Sequence, residues 1–514
     1  MRFENLRTFL EALRKEKQLK VISAPVDPNL ELAEIHRRVI DEQGPALLFT
    51  NVKGASFPVV TNLFGTSRRV DLAFGPRPEQ LMKQIVGAMD TAAASDAQGA
   101  LAAEGPPDRS LQDRNEDGAG RSGPVLQQCR KEAPLAGLPV LTCWQEDGGP
   151  FVTSPLVYTE HPENGHHNLG MYRMQVYDDR TTGMHWQIHK GGGFHYHEAE
   201  KRNKPAPVTV FLGGPPALIA SAIAPVPEHL PEPLLTSLIL GQKLPLAENP
   251  QGGGHRLVAE AEFAICGSVQ PHLRRPEGPF GDHYGYYSLT HDFPVFDVHH
   301  MWHRKDAIYP ATIVGKPRQE DYYLGEFLQR LLSPAFPMAM PGVKSLWTYA
   351  ETGFHSLAAA VVRESYSREA LSTAFRILGE GLTLTKFLIV TDRDIDLERF
   401  PELLESVLAR FEPGRDLFII NHTSHDTLDY TGDRLNHGSK AILLGIGEPK
   451  RERRASIPAA SAPVSAVPPY TAGAVWLFPA QLTMRTRRRR SGLRRSARTG
   501  SRTGLWSSWR MTRG

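Results

Sequence analysis

The sequence predicts a mixed α/β protein in which a central β-barrel domain is flanked by two units of alternating helix and strand. Three observations carry that expectation. Residues 124–317 hold successive runs of β-branched and aromatic residues divided by turn sequences, and VTVFL at 208–212 is apolar enough to be buried on both faces. Phe3, Leu6, Phe9, Leu10 and Leu13 fall on one face at helical spacing, ahead of strand-like segments. From residue 319 the helical and strand patterns alternate again, as a second α/β domain requires.

In chain order, residues 1–89 read as the first unit. Its opening helix is charged and amphipathic and lacks the apolar centre of a signal peptide. KVISAPV, a helix over 29–41, ALLFTNV and FPVVTNLFG follow, with Gly54 and Pro58 as breaks. Residues 90–123 turn to Ala, Gly, Asp, Ser and Pro and predict a mobile linker or long loop, too poor in large apolar residues to offset ordering. The central domain takes its strands from VLTCW, FVTSPLVYT, a hairpin, APVTVFLG, RLVAEAEFAICG and FPVFDVHHMW. A helix over 231–241 interrupts them, with Glu232 in its first turn. In 318–450, helices over 323–332, 368–378 and 403–411 alternate with strands in SLAAAVVRE, LTKFLIVTDRDID and DLFIINH. Residues 451–514 are rich in Pro, Ala and Arg without periodicity. They predict a disordered tail, read out of frame or appended as an unrelated extension.

Composition narrows the function classes. Of 59 Lys and Arg, 14 lie in the last 64 residues beside one acid, Glu452, so the rest of the chain holds 45 basic against 55 acidic residues. The body is acidic, and the Arg-rich tail without a folded reader predicts non-specific phosphate contact, not specific nucleic-acid binding. No run approaches eighteen apolar residues. Cys129, Cys143 and Cys266 have neither metal spacing nor an even disulfide framework, which predicts a reducing cytoplasm.

The chemistry concentrates in residues 167–197, HNLGMYRMQVYDDRTTGMHWQIHKGGGFHYH. Alternation there predicts a hairpin turning at DDRTTG, with Met171, Arg173 and Gln175 on one face and Tyr172, Met174 and Val176 on the other. Its second strand ends in Lys190-Gly191-Gly192-Gly193, where bare backbone admits a ligand closely. Imidazoles, an indole and a guanidinium beside glycines suit an anionic aromatic cofactor. A second stretch, RRPEGPFGDHYGYYS at 274–288, sets Glu277 and Asp282 five apart across a loop that cannot be a regular helix.

Together NLGMYR and EGPFGD resemble the UbiD family of aromatic and acrylic acid decarboxylases, over roughly residues 1–453. The resemblance implies prenylated FMN in the barrel domain and an aromatic or α,β-unsaturated acid as substrate. It implies that Arg173, in the pattern NxxxxR, holds the substrate carboxylate through charge-assisted bonds. Asp282 would donate the proton to the carbon that loses CO2, and Glu277 would orient Arg173. The expected electrostatics raise the pKa of one acid and keep the other ionised. Mn²⁺ or another divalent ion would sit between the cofactor phosphate and Asn168, Glu232 and a histidine, His189 in preference to His185, with K⁺ a further candidate ion. Met171, Tyr172, His185, Trp186, Gln187, Lys190 and Gly191 match flavin-contacting positions, and Lys386 matches a lysine reaching the cofactor from the last domain. A flavin prenyltransferase would supply the cofactor, and a homodimer or higher oligomer is implied. Asp at 282 and the NLGMYR form lean toward prenylated hydroxybenzoates of quinone biosynthesis, which would bring the protein to a membrane surface.

Other motifs carry less. His299, His300 and His303 form HHxxH without a zincin's glutamate, and neighbouring strand residues face opposite ways. His195 and His197 carry no more, and Gly252 to Gly254 reads as a loop. The competing functions are a split-barrel FMN oxidoreductase using NAD(P)H, against which no GxGxxG follows a strand, and an inactive family member with a damaged C-terminus.

Overall fold

Asn5 opens the first helix, Leu6–Lys15, through a reciprocal capping box with Thr8, and the helix buries Leu6, Phe9, Leu10 and Leu13 as their spacing predicts. The structure is a computed structural model and describes residues 3–95, 122–187, 190–226, 231–379, 384–431 and 434–451. The helix packs on a four-stranded sheet ordered Leu19–Ile22, Ala46–Phe49, Val59–Thr61 and Tyr309–Pro310. The fourth strand comes from far along the chain, so the N-terminal sheet is completed by the segment that leaves the central region.

Helices Ser67–Phe74 and Arg77–Ser95 follow. The second extends into the segment expected to be an unstructured linker, so residues 90–95 are corrected to helix. Alanines 92–94 are strong helix formers and continue a turn already nucleated upstream. The remainder of that expected linker, 96–121, and the tail from 452 lie outside the described residues.

The central sheet has seven strands, ordered Gln128–Arg130, His291–His303, Phe263–Glu277, Ala206–Leu212, Leu156–Glu160 and His167–Met171, with Thr181–Gly183 added against His291–His303. Its first and last members do not pair, so among the described residues the expected barrel is an open sheet. Bulges after Cys266 and Val269 in the long central pair bend it. VTVFL is buried on both faces as expected. Val208, Val210 and Leu212 enter one apolar cluster with Phe263 and Ile265, while Phe211 enters the other with Ala264 and Cys266. The region is not strand-only: besides the expected helix Glu232–Leu240, it holds Gly191–Lys201 and Pro216–Ile223.

The C-terminal sheet runs Val343–Thr348, Leu357–Val362, Phe387–Thr391, His437–Gly445 and Leu417–Ser424, with its middle three strands parallel. Alternate residues of LAAAVV serve opposite faces. Ala358, Ala360 and Val362 meet helix Glu369–Gly379, and Ala359 and Val361 meet helix Phe400–Arg410. Helix Glu320–Leu332 reaches back to the N-terminal part, where Phe327 stacks on Phe74 at 4.3 Å.

The N-terminal helix is tied to the central region through Glu262, whose side chain is fully buried. It accepts two 3.0 Å bonds from Arg7 and one of 2.9 Å from the Ile308 N–H. Glu262→Ala should therefore cost about 2–3 kcal/mol in urea unfolding, below the range for a wholly buried pair because Arg7 keeps partial solvation. An unchanged midpoint would mean that this tie carries no stability.

His299, His300 and His303 do not converge. They bond separately to Ser268, Asn249 and the Arg304 carbonyl. Among the described residues no three His, Cys, Asp or Glu side chains are arranged to hold a metal, and no helix is long and apolar enough to cross a membrane.

Candidate active site

Arg173 lies in the two-residue break between the strands His167–Met171 and Met174–Gln175, and its guanidinium is buried. Nε donates to Glu277 Oε1 at 2.8 Å and Nη2 to Glu277 Oε2 at 3.2 Å. Nη1 donates to Asp282 Oδ2, and Nη2 also reaches Ser288 Oγ at 3.1 Å. The guanidinium carbon lies 4.7 Å from the Phe280 ring centre. Two stretches more than a hundred residues apart thus meet in one planar fork of charge-assisted bonds.

The loop from Glu277 to Asp282 is pinned along its length. Gln175 accepts from the Gly278 N–H at 2.8 Å, Ser288 Oγ accepts from the Phe280 N–H at 3.0 Å, and Asp147 accepts from the Gly281 N–H at 2.8 Å. Gly278 has φ +99°, where a Cβ would be strained. This explains why the loop requires glycine there, and why Asp282 is presented from rigid backbone.

The electrostatics correct the sequence expectation of one raised acid in this pair. Burial pushes the Glu277 carboxyl up, but His185 and Arg173 more than reverse it, bringing it to about 2. Burial also opposes the Asp282 carboxylate, yet His283 and Arg173 hold it well below the usual range. Arg173 itself stays charged despite burial, because both carboxylates face it. Both acids are therefore ionised in this arrangement, since one guanidinium and two imidazoles supply more donors than spacing alone reveals.

His185 joins this group: its Nδ1 meets Glu277 Oε2 at 2.9 Å. Burial and Arg173 lower its pKa, so the ring is neutral and Nδ1–H donates, while Nε2 is buried and has no partner among the described residues. Among the described residues its hydrogen bond goes to Glu277, not to Asn168 or Glu232. His189, the preferred third metal ligand, lies outside the described residues.

Asn168 and Glu232 form a second group. Glu232, in the first turn of its helix, accepts from the Leu169 N–H at 2.9 Å, which sets the carboxylate beside the strand carrying Asn168. Burial pushes Glu232 up to about 7. The Asn168 amide donates to Thr159 Oγ1 at 3.5 Å, and Thr159 in turn meets His195 Nδ1 at 3.0 Å. A Cβ on Gly191 would stand 2.1 Å from Asn168 Oδ1, and one on Gly192 2.7 Å from Trp186 Nε1. The glycines are not a strand end, as expected, but the first turn of helix Gly191–Lys201, because only bare backbone lets that turn approach Asn168 and Trp186. The Gly192 N–H donates to the Tyr172 hydroxyl at 3.4 Å.

Trp186 is buried against Tyr196 at 5.1 Å, its Nε1–H has no hydrogen-bond partner among the described residues, and Met171 and Gln187 are half-buried. Lys190 is half-buried; burial lowers its pKa, and the Asp426 carboxylate opposes that shift. Lys386 is tied elsewhere, to Asp429 at 2.9 Å and Thr431 at 2.6 Å, rather than to any described hairpin residue. The sequence reading overlooked His283 and Ser288 and gave Gln175 no role beyond its face of the hairpin, although all three sit inside the two motif-bearing stretches and carry hydrogen-bonding side chains.

These donors fit an anionic, aromatic cofactor with a divalent ion at its phosphate. Asn168 and Glu232 offer hard oxygens, Lys190 and a helix N-terminus offer positive charge, and Trp186 Nε1 and His185 Nε2 are buried polar atoms without partners among the described residues.

Three family models match in succession: the 3-octaprenyl-4-hydroxybenzoate carboxy-lyase N-terminal domain over 10–89, its Rift-related domain over 119–317 and its C-terminal domain over 322–445. An uncharacterized protein of Chlamydia trachomatis is 53% identical over 477 residues, covering 89% of this chain and 79% of its own. A 4-hydroxybenzoate decarboxylase subunit from Chlamydia pneumoniae is 51% identical over 458 residues, covering 87% and 76%. Among solved structures, HmfF of Pelotomaculum thermopropionicum in complex with FMN superposes with TM-score 0.67 at 25% identity, covering 91% of this chain and 98% of its own. Vanillic acid decarboxylase of Sedimentibacter hydroxybenzoicus in its closed form gives TM-score 0.76 at 22% identity over 91% and 97%, a likeness of fold. Fold and matched domains define a multidomain carboxy-lyase. The chain belongs to the UbiD family.

Proposed function

We propose that the chain is a prenylated-FMN-dependent, non-oxidative decarboxylase of an aromatic or α,β-unsaturated carboxylic acid, with a hydroxybenzoate of quinone biosynthesis as the favoured substrate class. The observation that carries this reading is the buried fork in which Arg173 bonds both Glu277 and Asp282. The name of the Chlamydia pneumoniae relative supports a hydroxybenzoate.

Bound prenylated FMN supplies an electrophilic centre that takes up the electrons released as CO2 departs. Asn168 and Glu232, with His189, would hold Mn²⁺ at its phosphate. Lys190 and the first turn from Gly191 would neutralise phosphate charge, and Met171, Tyr172, His185, Trp186 and Gln187 would bound the ring. Lys386 would have to leave Asp429 to reach it. Arg173 exchanges Asp282 for the substrate carboxylate, a swap of one charge-assisted bond for another. Glu277 keeps the guanidinium plane fixed during that exchange, which positions the scissile bond. Asp282, freed from Arg173, carries the proton to the carbon that has lost CO2.

The proposed division assigns 1–89 and 318–450 to flanking domains and 124–317 to cofactor binding. A homodimer or larger oligomer, a flavin prenyltransferase as cofactor supplier and a cytoplasmic site of action belong to the same reading.

The test is the mass of the cofactor released from protein co-produced with a flavin prenyltransferase. FMN plus one isoprenyl unit is the expected result, followed by CO2 release from hydroxybenzoates; plain FMN would overturn it. Gly191→Ala should lower flavin retention at least tenfold, because its Cβ collides with Asn168 Oδ1. Undiminished flavin absorbance in that variant would remove the first turn of this helix from the binding site.

A further inference from the structure

His283 is held at both ring nitrogens. Nε2 lies 3.1 Å from the Gly353 carbonyl oxygen, and Nδ1 lies 2.9 Å from Asp282 Oδ1. A carbonyl only accepts, so Nε2 must carry hydrogen. With that nitrogen committed, the Nδ1 to Oδ1 contact is a hydrogen bond only if a second proton lies on it. Asp282 Oδ1 already accepts from the His283 main-chain N–H at 2.7 Å, and Oδ2 accepts from Arg173. Two such donors favour an ionised carboxylate, which places the second proton on the imidazole.

We propose that His283 is an imidazolium that stores the proton for Asp282 and passes it on during decarboxylation, an inference that rests on the reading of Asp282 as the group protonating carbon. In the resting arrangement Arg173 and His283 share the Asp282 charge. When Arg173 turns to the substrate carboxylate, Asp282 loses one of its two cationic partners and its proton affinity rises. The proton then moves from His283 Nδ1 to Asp282 Oδ1, and from Asp282 to the carbon whose bond to CO2 has broken. His283 is left neutral with hydrogen on Nε2, and one solvent proton restores it. Each turnover thus consumes one proton and releases one CO2 and one protonated product. His283 acts through Asp282 and is a positioning and proton-supplying residue.

The groups facing His283 come from three elements. Asp282 is adjacent and Arg173 lies beyond it. Asp321, on helix Glu320–Leu332, attracts it, with Lys316 acting on Asp321. His355, paired with Asp426, sits with its ring 5.5 Å away, and Tyr284 packs at 4.6 Å. Acids outnumber cations in direct reach, in keeping with a pKa raised by Asp282 against the cost of burial.

The test is a ¹⁵N spectrum of histidine side chains in the full chain, wild type and His283→Gln. The expected result is one ring with both nitrogens protonated at pH 7 that disappears in His283→Gln; a neutral ring at that pH would overturn the proposal. Should His283→Gln fold poorly, Asp282→Asn serves instead: the same signal should turn neutral, and its persistence would overturn the pairing. For the relay, kcat of His283→Gln should fall about 100-fold with KM changed less than twofold, and the alkaline limb of the kcat profile should vanish. An unchanged kcat and profile would overturn the relay. A wild-type chain that releases no CO2 would overturn both the decarboxylase reading and the relay, while the spectrum independently decides where the proton resides.

Discussion

Arg173→Ala is expected to abolish CO2 release, by at least about 10³-fold, and to lower unfolding free energy by about 3–5 kcal/mol, the range for removing one partner of a buried ion pair. Glu277 would keep only His185 and Asp282 only His283, leaving two buried carboxylates undercompensated. Arg173→Lys separates the two effects. A single ammonium can neutralise one acid but cannot bond Glu277 in bidentate fashion and Asp282 together, so stability should recover in part and activity should not. The pH dependence follows from the sign of the shift. Glu277 titrates at about 2 in the fold, below its unfolded value, so its stabilisation is full above that unfolded value and is lost as pH falls through about 2. Urea midpoints between pH 5 and 2 should fall steeply in wild type and less in Arg173→Ala. Wild-type turnover in Arg173→Ala would remove the guanidinium from catalysis.

Asp282→Asn is expected to reduce kcat by about 10²–10⁴-fold, the worth of a positioned proton donor, while flavin content stays at the wild-type level. The amide is close to the carboxylate in shape and its oxygen can still accept from Arg173, but it cannot carry the proton. It also lacks the charge that holds His283 protonated, so the variant strikes the acid and its proton source together. CO2 release in a single turnover, read beside flavin absorbance, separates lost chemistry from lost cofactor. Full activity would remove Asp282 from the proton path.

The pairing of Glu277 with Arg173 was legible through the resemblance that two compact strings, NLGMYR and EGPFGD, carry within six residues each. The strand VTVFL and the helix holding Glu232 were legible from local pattern: their periodicity or composition is a local property that burial then reads. The three glycines after Lys190 were not. A strand end and a helix start both tolerate glycine, and only the approach of Asn168 and Trp186 selects the helix. Barrel closure was equally out of reach, because alternation specifies which face is apolar and not which edge strands meet.

By itself the sequence determined the flanked β-rich architecture, because apolar period is written along the chain, and through the resemblance carried by NLGMYR and EGPFGD it pointed to the family and to Arg173, Glu277, Asp282, Asn168 and Glu232 as the residues to watch. Tertiary structure alone decided that both carboxylates of the fork are ionised, that His185 serves Glu277 and that His283 is gripped between Asp282 and Gly353. A proton's position depends on every donor and charge within a few ångströms, and those arrive from strands, loops and helices that only folding brings together.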